Sequence, residues 1–151
     1  MKKIILSVTN DLATDQRVDK VANTLVNAGF QVLLIGRLKS DSIDLKKQNY
    51  QCIRLSLFFS RGFLFYMEFN IRLFIFLLIR RCDILVANDL DTLFPNFLVS
   101  KIRNKKLIYD SHELFSELPE LLNRKRVKYV WMLLESLLLP RLKYSYTVSE
   151  S

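Results

Sequence analysis

The strongest constraint on the fold is a regular alternation of short apolar runs with segments of helical periodicity. Residues 3–9 and 30–35 are apolar, of strand length and rich in β-branched side chains, as in strands buried on both faces. The segment between them predicts a helix, because Val18, Val21, Ala22, Leu25 and Val26 follow the spacing of one helix face. Thr14 or Asp15 is its expected N-cap, and Gly29 its expected C′ residue. Strand, helix and strand in this order predict a parallel pair joined by a right-handed crossover.

The same alternation continues along the chain. Further strands are predicted at residues 50–56, 83–87, 107–109 and 145–148, and further helices at residues 62–81, 92–102, 114–122 and 123–139. Pro95 is expected in the first turn of its helix, and Pro140 ends the last helix. The pattern predicts an α/β fold: a Rossmann-like, doubly wound, mainly parallel sheet of about six strands with helices on both faces. At 151 residues the chain is expected to form one domain.

The formal charge of +8 restricts the partners that this chain can have. Such an excess indicates a nucleic acid, an anionic membrane surface or phosphorylated ligands. Nucleic acid is disfavoured, because the basic residues are scattered over several elements and no recognised nucleic-acid-binding motif is present. Cys52 and Cys82 lack metal-ligand spacing and are expected to be reduced, buried residues of a cytoplasmic protein. Residues 4–8 are too short for the apolar region of a signal peptide, so none is expected.

Two nucleotide-binding motifs are missing from the first loop. A nicotinamide-binding Rossmann domain carries Gly-x-Gly-x-x-Gly there, so that the backbone can approach the pyrophosphate. Here residues 10–15 read Asn-Asp-Leu-Ala-Thr-Asp and contain no glycine. A Walker A sequence is also absent. An oxidoreductase and an NTPase of the Walker type are therefore disfavoured.

Polar side chains follow two of the predicted strands. The fifth strand leads into Asp110-Ser111-His112-Glu113, which contains the chain's single histidine, and the fourth leads into Asn88-Asp89-Leu90-Asp91. Ligands of open α/β sheets bind at the carboxyl ends of the strands. Histidine exchanges protons near neutrality, so His112 is a candidate for acid–base or charge-stabilising work. The alternatives are capping or packing for His112, capping of the next helix for Asp89 and Asp91, and a fixed strand-to-helix turn for Asp110 and Glu113.

A family resemblance rests on six short segments taken together. They are Ser7-Val8-Thr9-Asn10-Asp11, Thr14-Asp15-Gln16-Arg17-Val18, Val32-Leu33-Leu34-Ile35-Gly36-Arg37, Ala87-Asn88-Asp89-Leu90-Asp91-Thr92, Tyr109-Asp110-Ser111-His112-Glu113 and Thr147-Val148-Ser149-Glu150. In this order they resemble the amino-terminal half of a GT-B glycosyltransferase of the retaining family 4 type. Many members have paired glycines in the first loop, and this chain does not.

The resemblance implies a two-domain enzyme in which this half binds the acceptor. A carboxy-terminal domain or subunit, which is not within these 151 residues, would bind the nucleotide-sugar donor, and the isolated half is expected to be inactive. The implied catalytic residue is His112, at the reacting sugar. Substrate contacts are expected from Asn10, Asp11, Thr14, Asp15, Gln16, Arg17, Asn88, Asp89, Asp91, Asp110 and Glu113. Neither a metal nor a cofactor is expected, because the transition state needs oriented dipoles and hydrogen-bond partners for the leaving phosphate.

Residues 57–81 and 123–139 suggest a membrane contact. The first segment is rich in phenylalanine, and its apolar surface is wider than one core-facing stripe needs. The second begins with Arg124, Lys125, Arg126 and Lys128 beside Trp131. Its basic residues would each contribute about 1 kcal/mol near an anionic surface. Arg61, Glu68 and Arg72 interrupt the first segment, so a transmembrane helix is not expected. Core packing and an ordinary solvated helix start are the alternatives.

The sequence therefore predicts a cytoplasmic enzyme half, peripheral on the inner face of the cell membrane. The expected reaction transfers a sugar to a glycan or a lipid-linked acceptor, in polysaccharide biosynthesis at the cell surface. The competing hypothesis is a non-catalytic binding or membrane-recruitment module with the same doubly wound fold.

Overall fold

The computed structural model describes residues 1–111 and 125–147. Strands and helices alternate along these residues except that β3 follows β2 without a helix between them. In chain order they are β1 (Lys3–Ser7), α1 (Gln16–Asn27), β2 (Gln31–Leu38), β3 (Gln51–Ser56), α2 (Gly62–Ile79), β4 (Ile84–Asn88), α3 (Leu90–Ile102), β5 (Lys106–Ser111), α4 (Lys125–Leu138) and β6 (Tyr144–Thr147). A short 3-10 turn at Leu139–Arg141 contains Pro140 and follows α4 directly. The helix predicted at residues 114–122 lies outside the described residues.

The six strands form one sheet in the order β3-β2-β1-β4-β5-β6, and every neighbouring pair is parallel. The predicted Rossmann-like, doubly wound sheet is therefore confirmed. In this order the chain winds outward first on one side of β1 and then, from β4, on the other. The reversal leaves a crevice between the carboxyl ends of β1 and β4, the topological switch point of such sheets.

Alternate residues of each central strand face two separate cores, as the period of two in a strand requires. Ile5, Ile35 and Leu85 face a core built with α2, α3 and α4. Leu6, Leu34 and Val86 face a second core built with α1. Because both faces of the central strands are covered, β1, β2 and β4 contain uninterrupted apolar runs at residues 4–6, 32–35 and 84–87, which make them recognisable in the sequence.

The boundaries of α1 follow from its caps. Asp15 is the N-cap, and its Oδ1 accepts a hydrogen bond from the Val18 N–H at 3.2 Å. Gly29 follows the helix with a φ of +87°, a conformation that favours glycine and suits the residue after a C-cap. The N-cap at Asp15 and the C′ glycine at Gly29, both predicted for this helix, are confirmed.

Two predicted boundaries are wrong in detail. β2 continues past Gly36 to Leu38. Position 36 has no room for a side chain, because the β1–α1 loop crosses it. A Cβ at this position would lie 2.4 Å from Leu12 Cδ2 and 2.8 Å from the Asn10 carbonyl oxygen. The third helix, α3, begins at Leu90 instead of Thr92, so Pro95 lies beyond its first turn. Proline lacks the N–H that would bond to the Asp91 carbonyl, and the Asn70 side chain of α2 donates to that oxygen instead, at 3.0 Å.

α2 is apolar around its circumference but buried along one stripe. Phe65, Phe69, Leu73 and Leu77 are 0–5% exposed and pack against the sheet. By length and composition, α2 is the one helix among the described residues that could cross a membrane. A count of uninterrupted apolar residues argues against such a span. That count leaves out one fact: two of the interrupting residues, Glu68 and Arg72, lie one helical turn apart and form an ion pair of 2.8 Å. In the folded domain the helix lies against the sheet.

Both cysteines are free thiols. Cys82 is buried as expected, whereas Cys52 on β3 is only half-buried. Burial raises the pKa of both thiols, so each is in its neutral form near neutral pH.

Candidate functional site

An ion pair and a tyrosine join three elements at the carboxyl edge of the sheet. Arg17, in the first turn of α1, donates to Asp110 Oδ2 on β5, and the Asp110 side chain is fully buried. Tyr146 is the register partner of Asp110 on β6 and forms a side-chain hydrogen bond with it. This Arg17–Asp110–Tyr146 group ties α1 to two strands beyond the switch point.

Electrostatics keep Tyr146 a proton donor in this group. Burial, the hydrogen bond to Asp110 and its negative charge all raise the pKa of Tyr146. Burial also raises the pKa of Asp110, although the hydrogen bond from Tyr146 and the positive charge of Arg17 oppose that shift. The Arg17 side chain keeps 30% of its surface exposed. It therefore brings a fixed positive charge to the edge of the sheet.

The β4–α3 turn carries the strained residue of the site. Asp89 has φ 70° and ψ 165°, a region populated almost only by glycine. Its backbone N–H donates to the Asp110 carbonyl at 2.8 Å, which fixes the turn against β5. Non-glycine residues in such conformations cost about 1–3 kcal/mol and are concentrated at functional sites. The strain therefore favours a functional role for this turn.

Capping does not explain the two aspartates of this turn. Asp89 occupies the N-cap position of α3, but its side chain makes no capping hydrogen bond. Asp91 lies in the first turn, where a negative charge is favourable to the helix dipole. Its Oδ2 accepts a hydrogen bond from the Thr9 hydroxyl, just beyond β1. Thr9 and Asp91 thus connect the two sides of the switch-point crevice.

Asn88 is built into the fold. It is fully buried, and its Nδ2 donates to the Ser7 carbonyl at 3.1 Å. Asn96 on α3 donates to the Ser7 hydroxyl at 2.7 Å, and the Thr92 hydroxyl donates to the Asn88 carbonyl at 2.9 Å. These bonds hold β1, β4 and α3 together beneath the edge. They give Asn88 a structural role, and its expected contact with substrate stays a prediction.

The β1–α1 loop divides its expected substrate contacts into two groups. Asp11 is 4% exposed and is committed to anchoring the loop: its carboxylate accepts from the Ser42 hydroxyl and the Ala13 N–H and lies 3.7 Å from Arg54. Burial opposes the charged form of Asp11, but these partners outweigh it and lower its pKa. Asp15 caps α1 and accepts from Asn10 Nδ2 at 3.1 Å. Asn10 and Thr14 of the loop and Gln16, the first residue of α1, are exposed to solvent.

His112 and Glu113 lie outside the described residues, so their positions relative to this edge are not part of the structure. Thr9 and Tyr146 join the site without having been singled out as site residues from the sequence. Thr9 directly precedes the loop motif and could have been included with it. Tyr146 carried no signal, because its partnership depends on the register between β5 and β6.

Two further features bear on the chemistry. Among the described residues, no group of three or more histidine, cysteine, aspartate or glutamate side chains could hold a metal ion. An open groove of about 590 Å³ lies at the opposite, amino-terminal end of the strands, between Lys3, Gln31, Phe76 and Arg80. Its size does not make it the site, because doubly wound sheets bind ligands at the carboxyl ends, where the charged and strained residues lie.

Comparison with known proteins identifies the fold. No protein-family model matches this chain. No curated protein matches it either. Solved structures do match: sucrose-phosphate synthase from Thermosynechococcus elongatus has a TM-score of 0.65 at 14% identity over 98% of this chain and 47% of its own. MurG from Acinetobacter baumannii has 0.60 at 10% identity over 100% and 42%. The UDP-GlcNAc 2-epimerase from Methanocaldococcus jannaschii has 0.57 at 15% identity over 97% and 39%.

These likenesses show a Rossmann-like domain of the GT-B type, as the sequence resemblance predicted. At 10–15% identity they show the fold alone. The chain spans less than half the length of each of the three structures.

Proposed function

We propose that this chain is the acceptor-binding half of a retaining glycosyltransferase of the family 4 type. It would take part in moving a sugar from a nucleotide-sugar donor to a glycan or lipid-linked acceptor during cell-surface polysaccharide synthesis. The supporting observation is the charged and strained edge at the switch point of a GT-B type domain, formed by Arg17, Asp89, Asp91 and Asp110. A donor-binding domain or subunit would supply the opposing face of the cleft.

The edge has the groups that glycosyl transfer requires. Breaking the bond to the leaving diphosphate develops negative charge on phosphate and positive charge at the anomeric carbon. In our proposal Arg17 supplies positive charge for the phosphates, held by its ion pair with Asp110. The exposed residues Asn10, Thr14 and Gln16 add hydrogen-bond partners. Fixed charge and oriented hydrogen-bond donors would thus stabilise the leaving phosphate in place of a metal.

Acceptor recognition is assigned to the aspartates of the β4–α3 turn. Carboxylates accept hydrogen bonds from sugar hydroxyls, and a strained turn presents them in one orientation. Asp89 is 8% and Asp91 is 5% exposed, so an acceptor hydroxyl would have to enter the crevice to reach them. His112 would then act at the reacting sugar, where it orients a hydroxyl or stabilises charge.

The test is sugar transfer by the chain together with the donor-binding domain, using radiolabelled UDP- and GDP-sugars and a polyprenyl-diphosphate-linked N-acetylglucosamine acceptor. Transfer is expected only when both halves are present. Asp89→Asn should lower transfer at least tenfold without loss of folding, since asparagine matches aspartate in size and pays a similar backbone cost in this conformation. Asp41→Asn is the matched control, because Asp41 is exposed on the β2–β3 connection.

The possible outcomes separate the hypotheses. Saturable binding of the acceptor without any transfer across the sugar panel would favour the non-catalytic module. Neither binding nor transfer would overturn the proposal. Equal losses for Asp89→Asn and Asp41→Asn would remove the role given to the turn.

A sugar epimerase is a second candidate, because the likeness to the UDP-GlcNAc 2-epimerase is close to the likeness to MurG. An epimerase would need no acceptor. The chain together with the donor-binding domain is incubated with UDP-GlcNAc and no acceptor, and the two C2 epimers are then separated. This experiment distinguishes the candidates. Epimer formation in the absence of acceptor would replace the transferase proposal.

A further inference from the structure

α2 has a second apolar stripe that the folded domain leaves uncovered. Its buried stripe faces the sheet, whereas its outer stripe is 41–75% exposed. This α2 outer face consists of Leu64, Met67, Ile71, Ile75 and Ile79. The spacing of three or four residues places these side chains along one line of the helix. A row of five large apolar side chains in water is unusual for a monomeric soluble domain and marks an interaction surface.

α4, on the same side of the sheet, also carries exposed apolar residues. α2, α3 and α4 pack over the same face of the sheet, and the Tyr66 ring of α2 meets the Trp131 ring of α4 at a centroid distance of 5.2 Å. Large apolar side chains of α4 are 42–67% exposed, and they are Tyr129, Val130, Met132, Leu133 and Leu137. The whole helical layer on this side of the sheet therefore combines a buried inner side with apolar residues on its outer side.

The charges around α2 indicate which kind of partner its outer face fits. Arg61 precedes the helix and Arg80 and Arg81 follow it, all three exposed. Lys3 and Arg80 also line the groove at the amino-terminal end of the strands, which reaches Ile79 of the outer face. An apolar helix surface with cations at both ends is complementary to an anionic bilayer, whose headgroups attract the cations while the acyl region receives the apolar side chains.

Glu68, the single acidic residue of α2, does not oppose this contact. Its carboxylate accepts hydrogen bonds from the backbone N–H groups of Phe58 and Phe59, at 2.9–3.1 Å, and pairs with Arg72. Burial disfavours its charged form, but these partners outweigh that effect and lower the pKa of Glu68. The negative charge is therefore neutralised within the domain.

The first turn of α4 adds further cations to the same layer. Lys125, Arg126 and Lys128 precede the exposed apolar residues of that helix. A second copy of the chain seated on this face would bring a second set of cations to the same interface, and like charges repel each other. The charge pattern therefore favours a lipid surface over self-association.

We propose that the α2 outer face and the exposed side of α4 bind in the plane of an anionic membrane at the cytoplasmic leaflet. α2 stays packed on the sheet and enters the interface sideways, so the domain is attached to one leaflet and does not span the bilayer. The proposal rests on residues separate from the switch-point edge. It is therefore independent of whether that edge transfers a sugar.

The test measures sedimentation of the full chain with vesicles of phosphatidylcholine alone or with about 30 mol% phosphatidylglycerol, at low and high salt. Binding is expected to the anionic vesicles, and to weaken at high salt because the cations are screened. Ile71→Glu with Ile75→Glu should lower the partition coefficient at least tenfold. Replacing Lys125, Arg126 and Lys128 by glutamine should lower it severalfold for anionic vesicles only.

Ile43→Glu is the matched control, because Ile43 is 64% exposed in the β2–β3 connection, whose Leu45 and Tyr50 pack against the core on the α1 side of the sheet. Circular dichroism establishes that each variant is folded. No binding to anionic vesicles at low salt would overturn the proposal. An equal loss for Ile43→Glu would also overturn it, as would a change from dimer to monomer in Ile71→Glu with Ile75→Glu, since a second copy would then be the occupant.

Discussion

Asp110 is the residue on which the edge of the sheet depends most. Its carboxylate is fully buried, yet it is surrounded by partners from α1 and β6, Arg17 and Tyr146. Burying a carboxylate is costly unless its partners are in place, so each of them matters more than an exposed ion pair would. Because Arg17 remains partly exposed, one guanidinium both stabilises the fold and brings charge to the site.

Arg17→Ala is expected to lower the free energy of unfolding by about 3 kcal/mol, since it removes the ion-pair partner of a buried carboxylate. Asp110→Asn in the same chain should restore part of this loss, because a neutral amide costs less to bury. Urea unfolding of the two single variants and the double variant gives the coupling energy. A coupling below about 0.5 kcal/mol would show that the pair contributes as little as an exposed one.

Asp11 gives the fold a dependence on pH. Its pKa is lower in the folded chain than its ordinary value of 3.8, so its contribution to stability is present above pH 3.8 and is lost as the pH falls through the folded pKa. Asp11→Asn should therefore be less stable than the natural chain at neutral pH, and the difference should shrink as the solution is made acidic. Unfolding curves across the acidic range measure it, and a constant difference would contradict the expectation.

At the scale of elements, the predicted strands and helices are recovered wherever local signals decide them. Asp15 and Gly29 mark the ends of α1 because a cap and a positive φ have residue preferences of their own. The predicted start of α3 is two residues too late because Pro95 suggests a first turn. The helix tolerates this proline through a side chain of α2, a contact that no pattern within α3 could disclose.

The same limit applies to the candidate site. The polar residues after β4 and β5 could be predicted, because parallel strands share one carboxyl edge. The sequence could not distinguish the exposed Thr14 from the buried Asp11, since both lie in one short polar loop. Their difference arises from Ser42 and Arg54, which belong to the β2–β3 connection and to β3 and reach Asp11 only after the sheet has formed.

Asn70→Ala tests the contact that supports the proline. It removes the donor to the Asp91 carbonyl and should lower the free energy of unfolding by about 1–2 kcal/mol, the cost of a lost hydrogen-bond partner. In a Pro95→Ala background the introduced alanine would supply the missing backbone N–H, so Asn70→Ala should cost less there. Equal losses in both backgrounds, measured by thermal or urea unfolding, would show that the Asn70 contact does not compensate for the proline.

At the scale of the whole molecule, fold and proposed chemistry are separated in space. Two cores stabilise the sheet from its two faces, whereas the charged residues gather at one edge. The α2 outer face is a third region, on the surface of the helical layer. Apart from the Arg17–Asp110 pair, which serves both the fold and the edge, a change at one region can therefore be expected to leave the others intact. Loss of transfer, loss of membrane binding and loss of folding should therefore be separable by mutation.

His112→Ala gives the sharpest form of that expectation. A residue that acts only on the reacting sugar should be dispensable for the two cores, so the thermal unfolding midpoint of the chain should change by less than about 2 °C, as for a surface substitution. Sugar transfer by the chain combined with a donor-binding half should fall by at least about 10²-fold, the lower range for a lost acid–base group.

His112→Gln is the matched control, because it keeps a hydrogen-bonding side chain but cannot become an imidazolium. Transfer retained by His112→Gln would assign the residue to orienting a hydroxyl. Transfer lost in both variants would assign it to stabilising charge, and near-normal turnover in His112→Ala would remove it from the reaction.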